Sequence, residues 1–172
     1  YIQPFTMLSF EDMPSNHLLR SILFSKKKYL QTQIPFKEKP KAIRNKRLRI
    51  GYFSADFQNH ATMYLISKIF EKYNREKFKV YVYSFGESSE FDSVRERLKN
   101  SVDVFKDVIN LSEKNIAMLA REDQINIAID LKGYTRGSRT GIFVYRAAPI
   151  QINFLGYPGT MGASFIDYII AD

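Results

Sequence analysis

Apolar positions along the chain switch repeatedly between two spacings. The runs Leu48-Arg-Ile-Gly-Tyr-Phe-Ser54, Phe78-Lys-Val-Tyr-Val-Tyr-Ser-Phe85 and Ile125-Asn-Ile-Ala-Ile-Asp-Leu131 are apolar at most positions, which predicts strands buried on both faces. A short strand is expected within 102–109, and two more at Ile150-Gln-Ile-Asn-Phe154 and over 167–172. Between these runs the apolar spacing lengthens to three and four residues. Leu18, Leu19, Ile22 and Leu23 predict a helix over 12–24, introduced by Ser9, Asp12 and Pro14. Met63, Ile66, Phe70 and Tyr73 mark one face of a second helix. Phe91, Val94 and Leu98 mark a third with Ser89 as its cap, and Ile116, Leu119 and Ala120 a fourth capped by Ser112. Residues 139–146 suit a short fifth helix.

Strands alternating with helices of this length make βαβ units. With right-handed crossovers, the predicted fold is α/β, a doubly wound, mainly parallel, Rossmann-like sheet. Residues 1–47 are expected to form a helix and a basic linker, and residues 48–172 the Rossmann-like domain. In such sheets ligands bind beyond the carboxyl ends of the strands. Three loops on that edge are unusual: 55–62 after the first strand, 130–139 after the fourth, and Leu155-Gly-Tyr-Pro-Gly-Thr-Met-Gly-Ala163 after the fifth.

Composition narrows the function classes. The 172 residues are 45 % hydrophobic and 15 % aromatic, enough for a real core. No apolar run approaches the roughly 18–20 residues of a membrane span, and no signal peptide is visible, so a cytoplasmic protein without a membrane partner is expected. The absence of cysteine removes disulfides and thiolate chemistry. The chain starts at Tyr1 and stops just after a strand, which reads as a piece of something longer.

The net charge of +8 invites a nucleic-acid reading, but its location weakens it. Residues 25–49 hold ten Lys or Arg against the single acid Glu38, so the remainder is almost neutral. With Pro35 and Pro40 and no periodicity, that stretch reads as a solvated linker. Its other reading is an arm docking nucleic acid or an acidic protein, the mark of a non-catalytic binding module.

Neither the glycine fingerprint of dinucleotide domains nor a phosphate-cradling P-loop follows the first strand. This disfavours a nucleotide-dependent oxidoreductase. His60, where the second helix should begin, is a candidate proton acceptor or sugar contact, or a residue satisfying helix-terminal amides. Asp130, near the end of the fourth strand, either orients a catalytic or sugar group or bonds neighbouring amides. Thr135 and Arg139 lie between glycines, where Arg suits a phosphate or carboxylate unless it is simply solvated. Tyr157 and Thr160 either present a ring and a hydroxyl to a ligand or plug their loop against the sheet.

These residues also carry a resemblance. Leu48 through His60-Ala-Thr62 resembles the "LRVGY-S-DF-NH-T" motif of the O-linked N-acetylglucosamine transferase family, which includes the SPINDLY-type transferases. Gly133-Tyr134-Thr135-x-Gly137-x-Arg139 is similar to its "NGYT-G-R" segment. Arg146-Ala-Ala-Pro149-Ile-Gln151, Leu155-Gly-Tyr-Pro-Gly-Thr-x-Gly-Ala163 and Asp167-Tyr-Ile-Ile-Ala-Asp172 resemble "RPAPIQ…LGYPGT-GA…DYIITD". Gln3-Pro4-x-x-Met7-Leu8 resembles the helical lead-in. The likeness runs over essentially the whole chain, with its motifs in order.

The resemblance implies the N-terminal half of a GT-B glycosyltransferase that moves N-acetylglucosamine from UDP-N-acetylglucosamine to protein Ser or Thr with inversion and without a metal. The implied partners are the nucleotide-sugar donor, a protein acceptor and a C-terminal half that holds most of the nucleotide. It implies His60 as the active-site histidine, as a base or a sugar contact; Asp130 joins it as a catalytic candidate on its strand-end position alone. Thr62, Gly133, Tyr134, Thr135, Arg139, Gly156, Tyr157, Pro158, Gly159 and Thr160 become substrate-side residues. Two departures stand out: Ala61 where proline is frequent, which frees a fixed φ beside His60, and Ala147 in place of the motif's first proline. The half alone is expected to be inactive, and its exposed cleft face makes self-association plausible.

Overall fold

A computed structural model of the chain describes residues 2–29, 40–41, 46–87, 89 and 91–171. Six parallel strands form one sheet: β1 (Leu48–Ser54), β2 (Phe78–Ser84), β3 (Val104–Asp107), β4 (Ile127–Asp130), β5 (Ile150–Phe154) and β6 (Tyr168–Ile170). Their spatial order is β3-β2-β1-β4-β5-β6. The sheet therefore grows outward in both directions from β1, and the direction reverses between β1 and β4. That junction is where a doubly wound sheet opens a crevice at its carboxyl edge.

Both faces of the sheet are covered, as the continuous apolar strands require. On one face Tyr52, Val80, Val82 and Ile129 pack under α3 (Ala61–Lys72) and α4 (Ser93–Ser101), through Met63, Ile66, Phe70 and Leu98. On the other, Phe53, Tyr81, Tyr83 and Ala128 pack under α5 (Glu113–Glu122) and α6 (Gly141–Val144), through Ile116, Ala117, Ala120, Ile142 and Phe143. Phe53 and Tyr83 stack with centroids 4.5 Å apart and planes 6° off parallel. Such a pair adds about 0.5–1.5 kcal/mol beyond its burial. Alternate residues of one strand thus feed two separate cores.

Several helix limits differ from the pattern-based expectation. A short helix α1 (Pro4–Met7) precedes α2, which runs Pro14–Tyr29 rather than 12–24. Lys26, Lys27 and Lys28 lie in its last turn, not in a linker, where cations favour the negative end of the helix. The rest of the basic stretch falls largely in 30–39 and 42–45, outside the described residues. Leu18, Leu19 and Leu23 do not face the core and are about half exposed; Ser21, Ser25 and Tyr29 do. Small serines let α2 lie close, and its aromatic rings supply the contact. Phe24 meets Tyr134 edge-on at 5.0 Å and Tyr29 meets Phe165 at 5.6 Å. Helix α4 is capped by Asp92, which accepts from Arg95 N at 3.0 Å, and not by Ser89; Phe91 is 92 % exposed. Ser112 caps α5 as its sequence position suggests, accepting from Asn115 N at 3.2 Å.

Candidate active site at the β1–β4 junction

The loop leaving β1 is tied down by its own polar residues. Asp56 N donates to Ser54 Oγ at 2.9 Å, and His60 adopts extended backbone as the N-cap of α3. The His60 Nδ1 accepts the Thr62 amide at 3.2 Å and lies 3.1 Å from the Thr62 hydroxyl. A nitrogen that accepts an amide N–H carries a lone pair, so in the neutral ring the proton sits on Nε2. Thr62 Oγ1 in turn donates to Asp56 Oδ2 at 3.5 Å. The imidazole is 44 % exposed, so this ring is anchored on one side and open on the other.

The loop leaving β4 meets it from the neighbouring strand. Lys132 Nζ contacts both Asp56 oxygens, at 2.9 and 2.8 Å, and both side chains are almost fully buried. A buried ion pair contributes little net stability, but removing one partner strands a charge at a cost of about 3–5 kcal/mol. Its effect is to fix two loops 76 residues apart in sequence. Neither Asp56 nor Lys132 stands out in a sequence reading. The only available signal is a charged residue just beyond the ends of two strands that prove adjacent.

Asp130 closes the turn beneath them. Its Oδ1 accepts from Lys132 N at 2.9 Å and Gly133 N at 3.1 Å, while Oδ2 is buried with no protein partner. Burial pushes its carboxyl up to about 6, against the opposing pull of those two amides and the Lys132 charge. Of the two sequence readings, the geometry shows the amide-bonding one. Asp130 shapes the turn that presents Lys132.

The glycine- and aromatic-rich segments are occupied by packing. Tyr157 is buried, edge-on to Tyr134 at 5.5 Å, and Tyr134 Oη donates to Met161 O at 2.8 Å. Burial raises both phenols above their ordinary value. Gly133 has φ +53°, and a Cβ there would stand 2.5 Å from the Tyr157 Cβ; one on Gly156 would meet the Leu131 carbonyl at 1.9 Å. These two glycines exist so that the loops after β4 and β5 can interlock. Tyr157 is the plug of its loop.

The remaining candidates are dispersed. Thr135 Oγ1 donates to Lys132 O at 2.8 Å. The Arg139 guanidinium donates to the carbonyls of Ile109 and Leu111 and lies 5.8 Å over the Phe85 ring, joining the loop after β3 rather than an anion. Pro158, Gly159 and Thr160 line two grooves of about 700 and 820 Å³ beside α1 and α2, neither of which includes His60. His60 and Thr62 are therefore joined through Asp56 to Lys132, whereas Arg139 bonds the loop after β3 and the 158–160 tip lines separate grooves. Arg146, Gln151 and Asp167 form a buried staple at the sheet's edge: Arg146 Nη2 reaches Asp167 Oδ2 at 2.9 Å and Gln151 N donates to the same oxygen at 2.9 Å. Among the described residues no group of three His, Cys, Asp or Glu side chains is arranged to hold a metal, and no helix is long and apolar enough to cross a membrane.

This arrangement has relatives. The chain is 42 % identical over 127 residues to a probable UDP-N-acetylglucosamine–peptide N-acetylglucosaminyltransferase SEC of Arabidopsis thaliana, a match covering 74 % of this chain and 13 % of that protein. It is 41 % identical over 127 residues to the UDP-N-acetylglucosamine–peptide N-acetylglucosaminyltransferase of Caenorhabditis elegans, covering 73 % and 11 %. The solved structure of a point mutant of the Thermobaculum terrenum O-GlcNAc transferase superposes with a TM-score of 0.83 at 27 % identity, covering 95 % of this chain and 31 % of that one. The chain thus spans well under a fifth of the curated relatives it matches. Residues 14–172 match the sequence profile of Glycosyl transferase family 41. The chain belongs to that family, and its sheet is a Rossmann-like half of the GT-B catalytic fold.

Proposed function

We propose that this chain forms the sugar- and acceptor-facing half of the active site of a cytoplasmic, inverting protein O-glycosyltransferase. The reaction is transfer of N-acetylglucosamine from UDP-N-acetylglucosamine to a Ser or Thr hydroxyl, the relatives being named for that donor and for a peptide acceptor. The observation that carries the reading is the half-open His60 ring at the β1–β4 junction, anchored through Nδ1 and clamped from below by the Asp56–Lys132 pair.

Attack of a hydroxyl on an anomeric carbon needs a positioned nucleophile, a proton acceptor and stabilisation of the departing diphosphate. In this reading His60 positions a substrate oxygen by donating from Nε2, because its other nitrogen is committed to the helix. Asp130 and Asp56 hold the two loops in register and touch no substrate. A second α/β half supplies the diphosphate site, since no glycine-rich phosphate turn follows β1, and with it the phosphate oxygen that takes the hydroxyl's proton as the bond from sugar to diphosphate breaks. The reading needs no metal ion. Two assays test it. The chain alone, given UDP-N-acetylglucosamine and an acceptor peptide, should show no sustained turnover; activity would refute the division of the site. In an enzyme containing both halves, His60→Ala should lower turnover about 100-fold or more, the usual scale for one preorganised donor; unchanged turnover would remove His60 from the mechanism.

A further inference from the structure

Two groups compete for His60 Nδ1. The Thr62 amide donates to it at 3.2 Å, which requires a lone pair there. The Asp56 carboxylate lies 3.7 Å away, and a carboxylate so placed favours a proton on that same nitrogen. The two demands call for opposite tautomers. The structure satisfies the first, and the reason lies on another strand. Lys132 Nζ grips both Asp56 oxygens at 2.8–2.9 Å in an almost solvent-free setting, and Thr62 Oγ1 donates to Oδ2 at 3.5 Å, so the oxygen nearest the imidazole already accepts from two other groups.

The geometry points to Lys132 as a positioning residue that locks His60 in its Nε2–H tautomer by holding Asp56 away from the ring. Lys132 touches no substrate in this arrangement. It acts through Asp56, and its ammonium is delivered by the turn that Asp130 builds at the end of β4. The consequence at the open side of the ring is fixed polarity: a donor faces out, while the acceptor stays with the helix. Loosening the clamp lets Asp56 pair with Nδ1–H, releases the Thr62 amide and turns the outward nitrogen into an acceptor. The use of this polarity in catalysis rests on the site reading above; the lock itself does not.

Nitrogen-resolved imidazole spectra of the full chain test it, recorded at a pH of about 9 so that the ring is neutral. The wild-type ring should show Nε2 as the protonated nitrogen and Nδ1 as the bare one; the reverse assignment overturns the proposal outright. In Lys132→Met the two resonances should exchange roles, and Thr62 amide exchange should quicken about fivefold as its acceptor is lost. The double variant Asp56→Asn with Lys132→Met should return to the wild-type pattern, because no carboxylate remains to compete. An unaltered Lys132→Met spectrum defeats the lock. Should that variant fail to fold with Asp56 unpaired, Lys132→Gln keeps a donor without the charge and should show both tautomers; the Nε2–H form alone would again overturn it. A confirmed lock alongside a His60→Ala enzyme of normal turnover would sink the functional reading and leave the lock standing.

Discussion

The loops leaving β1 and β5 emerge from the same edge of the sheet, and both are rich in unusual residues, yet they are built on opposite principles. The β5 loop is held by apolar bulk: Tyr157 is buried, and Gly133 and Gly156 are small because that ring and the Leu131 carbonyl fill the space where a side chain would go. The β1 loop is held by charge and hydrogen bonds, with a buried ion pair at its base and a half-exposed imidazole at its end. The ring of Tyr157 is spent on that packing, while Pro158, Gly159 and Thr160 at the tip line two grooves. A loop braced from beneath by polar contacts keeps one side of a reactive ring free. The contrast is between two ways of holding a loop on one edge, by packing and by polar contacts.

Perturbing the scaffold loop should produce the largest change in stability. Tyr157→Ala removes a buried ring that Tyr134 and the glycine cradle enclose, at a cost of about 3–5 kcal/mol. For a chain of this size that lowers the melting temperature by at least about 6 °C. A melting curve within about 2 °C of wild type would mean that the ring is not the plug, and the contrast would fail on its packing side.

Next in size is a pH effect from beneath the polar loop. Asp130 has no counter-charge on its free oxygen, and its carboxyl rises from 3.8 to about 6 through burial. The folded chain therefore holds that proton more tightly than the unfolded chain. The resulting stabilisation is complete below about 3.8 and is lost as pH rises through about 6, a change of up to about 3 kcal/mol. Asp130→Asn removes the titration. Urea unfolding of both proteins between pH 4 and 7 should show wild type gaining on the variant as pH falls; parallel curves would show that Asp130 is not desolvated.

The sequence makes the scaffold more legible than the site, for physical reasons. The strands are legible as apolar runs that feed two cores, as with Tyr52 and Phe53, and Ser112 is found as a cap because its bond is local. The limits of α2 differ from its apolar pattern because its exposed leucines mimic a core face, while the residues that dock are two serines and a tyrosine. Within the site, His60 is visible from its place at a strand-to-helix turn. The Asp56–Lys132 pair is invisible, since its partners are 76 residues apart and meet only because β1 and β4 are neighbours. Conversely, Tyr157, Arg139 and Asp130 look like ligand-facing groups in a loop, and only the structure shows that the Tyr157 ring, the Arg139 guanidinium and one Asp130 oxygen already have partners within the fold.

The smallest stability change belongs to the residue with the largest expected effect on turnover, and that inversion is the sharpest test of the comparison. His60 caps α3 through Nδ1, so His60→Ala should cost about 1 kcal/mol, or roughly 2–4 °C in melting temperature. His60→Asn places a carboxamide oxygen where Nδ1 stood and should restore that stability, since Asn is among the best caps. Its side chain ends short of the Nε2 position, so it presents nothing to a substrate. In an enzyme with both halves, the two variants should therefore differ in melting temperature and agree in their loss of turnover. If the asparagine rescued turnover together with stability, the imidazole would be acting only as a cap. The β1 loop would then be scaffold of a second kind, and its polarity would serve α3 alone.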